Sequence, residues 1–258
     1  MYTGFKMTIK SYDQELYERG LNLYTNFQNQ AKQALDNYIN IDGKLDGTQI
    51  QQDWFPGIKA DIFLSHSHKD RQEAIIFAGI LSHFGITVFI DSCIWGYADT
   101  LLRSIDDVYC MNDDRTQYLY KERNKSTSHV HMMLSTALNM MMDKCEAIFF
   151  LNTPNSITTK GTMEETSSPW LYAELAMTRM IRRRPLGDYR PDLLKSMNET
   201  VKIFNQRQLD VTYQVNTGNL TELSQDDLKN WMVLLHEPEN KNANGLDLLY
   251  SLLGKKKR

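Results

Sequence analysis

The chain has 258 residues, 41% of them hydrophobic, with 29 Lys and Arg against 32 Asp and Glu for a formal net charge of -3. That length buries one domain-sized core with additions, and the charge balance supplies no global basic field, so no nucleic-acid partner is expected. Cys93, Cys110 and Cys145 are odd in number and lack metal-type spacing, which argues against a disulfide framework and for a reducing, cytoplasmic compartment.

The first thirty residues carry Asp13, Glu15, Glu18 and Arg19 without an apolar h-region, and no run approaches the ~18 apolar residues of a membrane span. Neither signal peptide nor membrane partner is expected. Tyr17, Leu21, Tyr24, Phe27, Ala31, Leu35 and Tyr38 recur at steps of three and four, the mark of one helix face. Such a stripe must be buried, and its tyrosines suit packing on the surface of the chain's own domain. Asp42-Gly43, Asp46-Gly47 and Pro56-Gly57 punctuate what reads as a linker of turns. Residues 1–58 are therefore expected to form a helical extension and linker, with the main domain, 59–236, beginning near Lys59.

Three short apolar runs follow: Ile62-Phe63-Leu64, Val88-Phe89-Ile90 and Ile148-Phe149-Phe150-Leu151. Unbroken runs of this length suit strands buried on both faces, as in a parallel sheet covered by helices. Asp70 to Phe84 has Ala74, Phe77, Ala78 and Leu81 at helical spacing and Gly85 as a stop, which completes a β-α-β unit. Residues 106–127 show no clear periodicity and read as a polar insertion near the site. Val130 to Met142 is helical, with Met132, Met133, Met140, Met141 and Met142 serving as adaptable packing. Ser168-Pro169 opens a helix reaching about Arg182, Val211 to Val215 reads as a strand, and Ser224 to Asp227 resembles a capping box before a helix through Trp231 and Leu235. Residues 237–258 are expected to hold a C-terminal helix and a basic tail, Lys255 to Arg258. The fold class is thus α/β, a flavodoxin-like parallel sheet with helices on both faces and an N-terminal helical extension.

In such a sheet ligands bind beyond the carboxyl ends of the strands. Here those ends are Ser65-His66-Ser67-His68, Asp91-Ser92-Cys93 and Asn152-Thr153-Pro154. Polar residues after buried strands also start turns, but three on one rim favour a pocket. Trp170 and Glu174 stand four apart on the Pro169 helix and share a face, so an aromatic platform and a carboxylate can meet one ligand. Asp91 either orients loop amides or faces the ligand, and Ser65 and His66 either contact substrate or hydrogen-bond within their loop. His129 and His131 point apart on a helix and have no third ligand nearby, so no metal is expected. The Arg182-Arg183-Arg184 cluster suits the C-terminal end of a helix dipole better than a pyrophosphate clamp. Neither GxGxxG nor GxxxxGK[ST] occurs, which disfavours Rossmann redox enzymes and P-loop NTPases.

Ala60 to Asp70, Val88 to Asp91 and Ser168-Pro169-Trp170 with Glu174 together resemble the first strand and loop, the second strand and the catalytic-glutamate region of Toll/interleukin-1 receptor (TIR) domains. The resemblance covers roughly residues 59–182. Among bacterial members the chain is similar to stand-alone TIR proteins of Thoeris-type anti-phage defence. It implies an NAD+ glycohydrolase or cyclase, with NAD+ as substrate and no resident cofactor, that produces a cyclic ADP-ribose-type signal for a downstream effector. Glu174 is then catalytic, and Ser65, His66, Asp91, Trp95 and Trp170 bind substrate. Ser92 to Thr100 occupies the place of the BB loop, through which TIR domains self-associate, with Trp95 reaching an adjoining protomer. A non-enzymatic interaction module and a nucleoside-processing hydrolase or transferase on a similar sheet are the alternatives.

Overall fold

The computed structural model describes residues 1–9, 14–29, 38, 45–54, 59–160, 163–189, 213–215, 217–241 and 243–254. The Phe27 side chain, Ala31, Leu35, Asp42-Gly43, Pro56-Gly57, Val211, Thr212 and the tail from Lys255 to Arg258 lie outside that description.

The three apolar runs form adjacent parallel strands: β2 (Ile62–Ser65), β3 (Val88–Ile90) and β4 (Ala147–Leu151). Every side chain in them is buried, because layers of helix cover both faces and leave no polar side for alternation. A fourth strand, β1 (Thr3–Met7), lies parallel to β4 on the other side, with Phe5 opposite Phe149. A fifth, β8 (Thr221–Leu223), closes that edge parallel to β1. The resulting order is β3-β2-β4-β1-β8, all parallel. This is the α/β, flavodoxin-like architecture, with one departure: the position beyond β4 is filled by the N-terminal strand.

That strand corrects the expected boundary near Lys59. Thr3–Met7 is an interior member of the sheet, its five residues buried or nearly so, and residues 1–58 are therefore not a purely helical extension. The helix that follows, α1 (Gln14–Asn29), packs on α3 (Arg71–His83), and Tyr24 and Tyr38 of the apolar stripe are buried in the main core. At the crossing the backbones nearly touch: a Cβ on Gly79 would lie 2.0 Å from the Leu16 carbonyl oxygen, and one on Gly20 1.9 Å from that of Ile75. Helix α3 ends where the sequence indicates, with the Gly85 amide bonding the Ser82 carbonyl and φ at 73°, the left-handed region that favours glycine.

Within the expected linker, Gly47–Trp54 is a helix, α2, whose first amides at Thr48 and Gln49 are capped by the Asp46 carboxylate. The 106–127 insertion is likewise mostly helical. Helix α4 (Trp95–Tyr109) runs into it, α5 (Tyr120–Lys144) leaves it, and a short loop closed by the Met111–Tyr118 bridge joins them. Buried Asp106 of α4 accepts from Arg123 Nε at 2.9 Å and from Ser126 Oγ, both on α5. Periodicity failed there because the first half of α5 is almost wholly exposed, with Ser126 its one buried residue before Val130.

A second, antiparallel sheet of β5 (Thr158–Lys160), β6 (Met163–Thr166) and β7 (Tyr213–Val215) follows β4 in the chain, so the described part of the expected Val211 strand pairs outside the main sheet. Helix α6 (Pro169–Met180) starts on its Ser168 cap, and α7 (Gln225–His236) carries the full capping box of Ser224 and Asp227. Helix α8 (Gly245–Leu252) packs on α7. Among the described residues no helix is long and apolar enough to cross a membrane.

Candidate active site

Strands β2 and β4 are neighbours, while the chain passes from β2 first to β3 on one side and only later to β4 on the other. That is the point where strand order reverses, and the crevice at the carboxyl ends there is where open α/β sheets bind ligands. Ser65 and His66 stand at the end of β2, Asp91 and Ser92 begin a 3-10 turn (Asp91–Cys93) at the end of β3, and α6 carries Glu174 to the same place.

The side chains meet. Ser65 Oγ donates to Glu174 Oε2 at 2.6 Å across 109 residues of sequence. The Ser92 amide donates to Asp91 Oδ1 at 2.7 Å, and His66 Nδ1 lies 2.6 Å from the same oxygen, off the line of a well-formed hydrogen bond. On its other side the imidazole meets Ser92 Oγ, 3.0 Å from Nε2. Glu174 is 3% exposed, Ser65 2%, His66 and Asp91 0%, so the cluster is sealed from solvent.

Burial sets the ionisation of each group. It lowers His66 to about 4, so the ring is neutral at pH 7. Glu174 is raised well above the ordinary carboxylate range, first by burial and then by the Asp91 charge. Asp91 is also raised, again by burial, against hydrogen bonds that favour its anion.

Trp95 covers this cluster. Its ring stacks on His66 with centroids 5.7 Å apart and planes 8° from parallel, and His68 lies 6.0 Å away at 24°. Its indole nitrogen is buried with no acceptor. The expected BB loop is replaced here by the 3-10 turn and the first turns of α4, so Trp95 is a helix residue over its own chain's site. Trp170, one turn before Glu174 on α6, is half-buried with its ring edge-on to His131 at 5.7 Å. The geometry thus unites Ser65, His66, Asp91, Trp95 and Glu174, and sets the Trp170 ring against His131.

Two features went unforeseen. Ser92 is a structural partner of both Asp91 and His66, and Tyr24 of α1 donates to the Ser92 carbonyl at 3.1 Å, so the N-terminal helix braces the end of β3. Asp70, at the start of α3, takes hydrogen bonds from Thr153 Oγ1 and Asn155 Nδ2 and thereby fixes the loop after β4. The arginine cluster is engaged within the chain: Arg183 donates to the Tyr2 and Asn219 carbonyls, and Arg184 pairs with Asp143. A separate cavity of about 240 Å³ opens at the ends of β1, β4 and β8, lined by Lys6, Asn152, Glu222 and Gln225 among others, and does not include Glu174. No protein-family model, no curated protein and no solved structure matches the chain.

Proposed function

We propose that the protein is a TIR-like enzyme that cleaves the nicotinamide glycosidic bond of NAD+, with Glu174 as the catalytic carboxylate and a cyclic ADP-ribose-type nucleotide as a signalling product in anti-phage defence. The observation that carries the reading is the meeting of Glu174 with Ser65 and Asp91 at the reversal point of the sheet. Nicotinamide departs as a neutral base from a cationic nitrogen, so its loss requires no general acid. One carboxylate against the ribose and its developing oxocarbenium charge is enough, and in a dry site that charge is stabilised strongly. Water capture of the ribosyl cation gives ADP-ribose, and capture by the substrate's own adenine or a hydroxyl gives a cyclic product. A site that closes again over bound substrate excludes water and favours the second outcome.

Substrate reaches Glu174 only when the Trp95 side of the site opens, since the carboxyl is closed off in the present arrangement. An assembly step between chains, or a clustering activator, is the natural source of that opening, and turnover per molecule then rises with protein concentration. A second reading, a nucleoside-processing hydrolase or transferase, is favoured by the second carboxyl: Asp91 beside Glu174 supplies an acid that a neutral departing base needs.

The test is mass spectrometry of NAD+ and of purine and pyrimidine nucleosides after incubation with the purified protein across a wide concentration range, with Glu174→Gln as control. Loss of NAD+ with release of nicotinamide, abolished in the variant, is expected. Cleavage of nucleosides with NAD+ untouched replaces the first reading by the second, and NAD+ cleavage at a wild-type rate by the variant removes Glu174 from the chemistry.

A further inference from the structure

The chemistry above uses one carboxylate, but the site holds two, and their hydrogen bonds do not balance as two anions. Asp91 is held by backbone amides, the Ser92 N–H on Oδ1 at 2.7 Å with those of His66 and Asp91 itself beside it, whereas Glu174 takes only Ser65 Oγ, on Oε2. The remaining oxygens, Asp91 Oδ2 and Glu174 Oε1, are buried and meet no hydrogen-bond donor among the described residues. The two side chains are nonetheless in hydrogen-bonding contact with each other. An ionised carboxylate only accepts, so two anions in contact would leave both oxygens orphaned and their charges opposed in a dry site.

We infer that Asp91 and Glu174 share a single proton, and that Asp91 is a positioning residue that sets when Glu174 becomes an anion. One proton turns the contact into a hydrogen bond and leaves the pair with one negative charge rather than two. The surroundings agree. The groups facing the pair are Ser65 and His66 from the end of β2, Cys93 from the turn after β3, and Tyr24 from α1, with Asp70 and Arg71 beyond His66. His66 is neutral at pH 7 and so brings no positive charge that would let both carboxyls ionise.

For catalysis this inference rests on the NAD+ reading, although the shared proton does not. A cationic ring or a developing oxocarbenium ion beside Glu174 takes over the electrostatic role of the proton, which passes to solvent. The pair therefore selects cationic glycosides and makes turnover depend on loss of one proton.

Carbon-13 NMR of protein labelled at the Asp and Glu side-chain carboxyls reads the proton directly. Wild type should show one buried carboxyl still protonated at pH 7, absent from both Asp91→Asn and Glu174→Gln, because each amide donates to the opposite carboxylate. In parallel, the acid limb of the NAD+ cleavage profile should lie above the ordinary carboxylate range in wild type and move down by at least one pH unit, tenfold in proton concentration, in Asp91→Asn. Two ionised carboxyls in wild type at pH 7, or a protonated Glu174 persisting in Asp91→Asn, overturns the shared proton. A carboxyl proton that behaves as stated in a protein that never cleaves NAD+ upholds the pair and overturns the NAD+ reading alone.

Discussion

Replacing Gly79 by alanine tests how firmly the N-terminal helix is bound to the rest of the chain. The new methyl carbon would stand 2.0 Å from the Leu16 carbonyl oxygen and 2.9 Å from the Gly20 amide nitrogen, both backbone atoms that cannot rotate aside. Ordinary contact therefore requires α1 to retreat from α3 by on the order of 1.4 Å, a gap at which facing side chains forfeit a large share of their dispersion attraction. Overpacking of this kind costs about 1–3 kcal/mol, against which alanine returns up to ~1 kcal/mol of helix propensity. A net loss of about 1 kcal/mol lowers the melting temperature of a chain this size by roughly 2–4 °C. Because Tyr24 of α1 holds the Ser92 carbonyl, the same retreat loosens the residues around Asp91, and turnover should fall along with stability. The control is Gly47→Ala, where the nearest atom to the new carbon is Met133 sulfur at 4.0 Å, and stability should stay within about 0.5 kcal/mol of wild type. Urea denaturation and thermal melting of the three proteins decide the matter. A Gly79→Ala protein as stable as the Gly47→Ala control would mean that α1 does not cross α3 at this close approach.

Glu174→Gln should fold normally and lose two to three powers of ten in NAD+ cleavage, the usual scale for one electrostatic stabiliser, as quantified by nicotinamide release. The same variant has a pH signature in stability. The native carboxyl pair keeps a proton that the unfolded chain gives up above the ordinary carboxylate range, so wild-type stability is lost as pH rises there, while Glu174→Gln escapes that loss. Neutral His66 acts oppositely in both proteins: the unfolded ring binds a proton below pH 6.5 and the native ring only near 4, so stability falls as pH drops through that window. The variant's advantage over wild type should accordingly grow with pH by up to about 1.4 kcal/mol per unit, and parallel curves from denaturant titrations at several pH values would sink the shared-proton account. Deleting residues 1–9 removes an interior strand, exposing paired backbone on β4 and β8 together with the Phe5 site. The expected outcome is an unfolded or aggregated product by circular dichroism and light scattering, and a monomeric, native-like deletion would show that β1 does not belong to the sheet.

The parts of the fold that were legible in the sequence share one physical trait: their signal is local. An unbroken run such as Ala147 to Leu151 can satisfy both faces of a covered strand and little else, and Ser168-Pro169 or Ser224 to Asp227 place a cap and a helix within a single turn. Thr3–Met7 has no such signal. Lys6 interrupts the run and Gly4 weakens strand propensity, and the strand is specified by what lies on either side of it, Phe149 and Thr221, both far away in sequence. The same holds for α5, whose exposed first half is fixed to α4 through Asp106, Arg123 and Ser126 rather than by an apolar stripe.

The site divides along the same line. Its members stand out individually because polar residues directly follow buried strands, and because Trp170 and Glu174 fall on one turn of a capped helix. Their partnerships do not stand out. Glu174 meets Ser65 across 109 residues and His66 meets Ser92 across 26, and these meetings follow from a parallel sheet that gathers every strand's carboxyl end on one rim. Spacing suggested that Trp170 would supply the aromatic wall over Glu174. The fold adds a second indole, because α4 begins just past the 3-10 turn after β3 and lays Trp95 across His66, while the Trp170 ring meets His131 on α5. The pairing of Asp91 with Glu174 was hidden for the same reason. Asp91 reads in sequence equally as a turn residue or a ligand contact, and only the register of β2 against β3, which sets Leu64 beside Ile90, brings the next residue of each strand into one sealed cluster with α6 above it. A site built this way depends on the sheet's register before it depends on any single side chain.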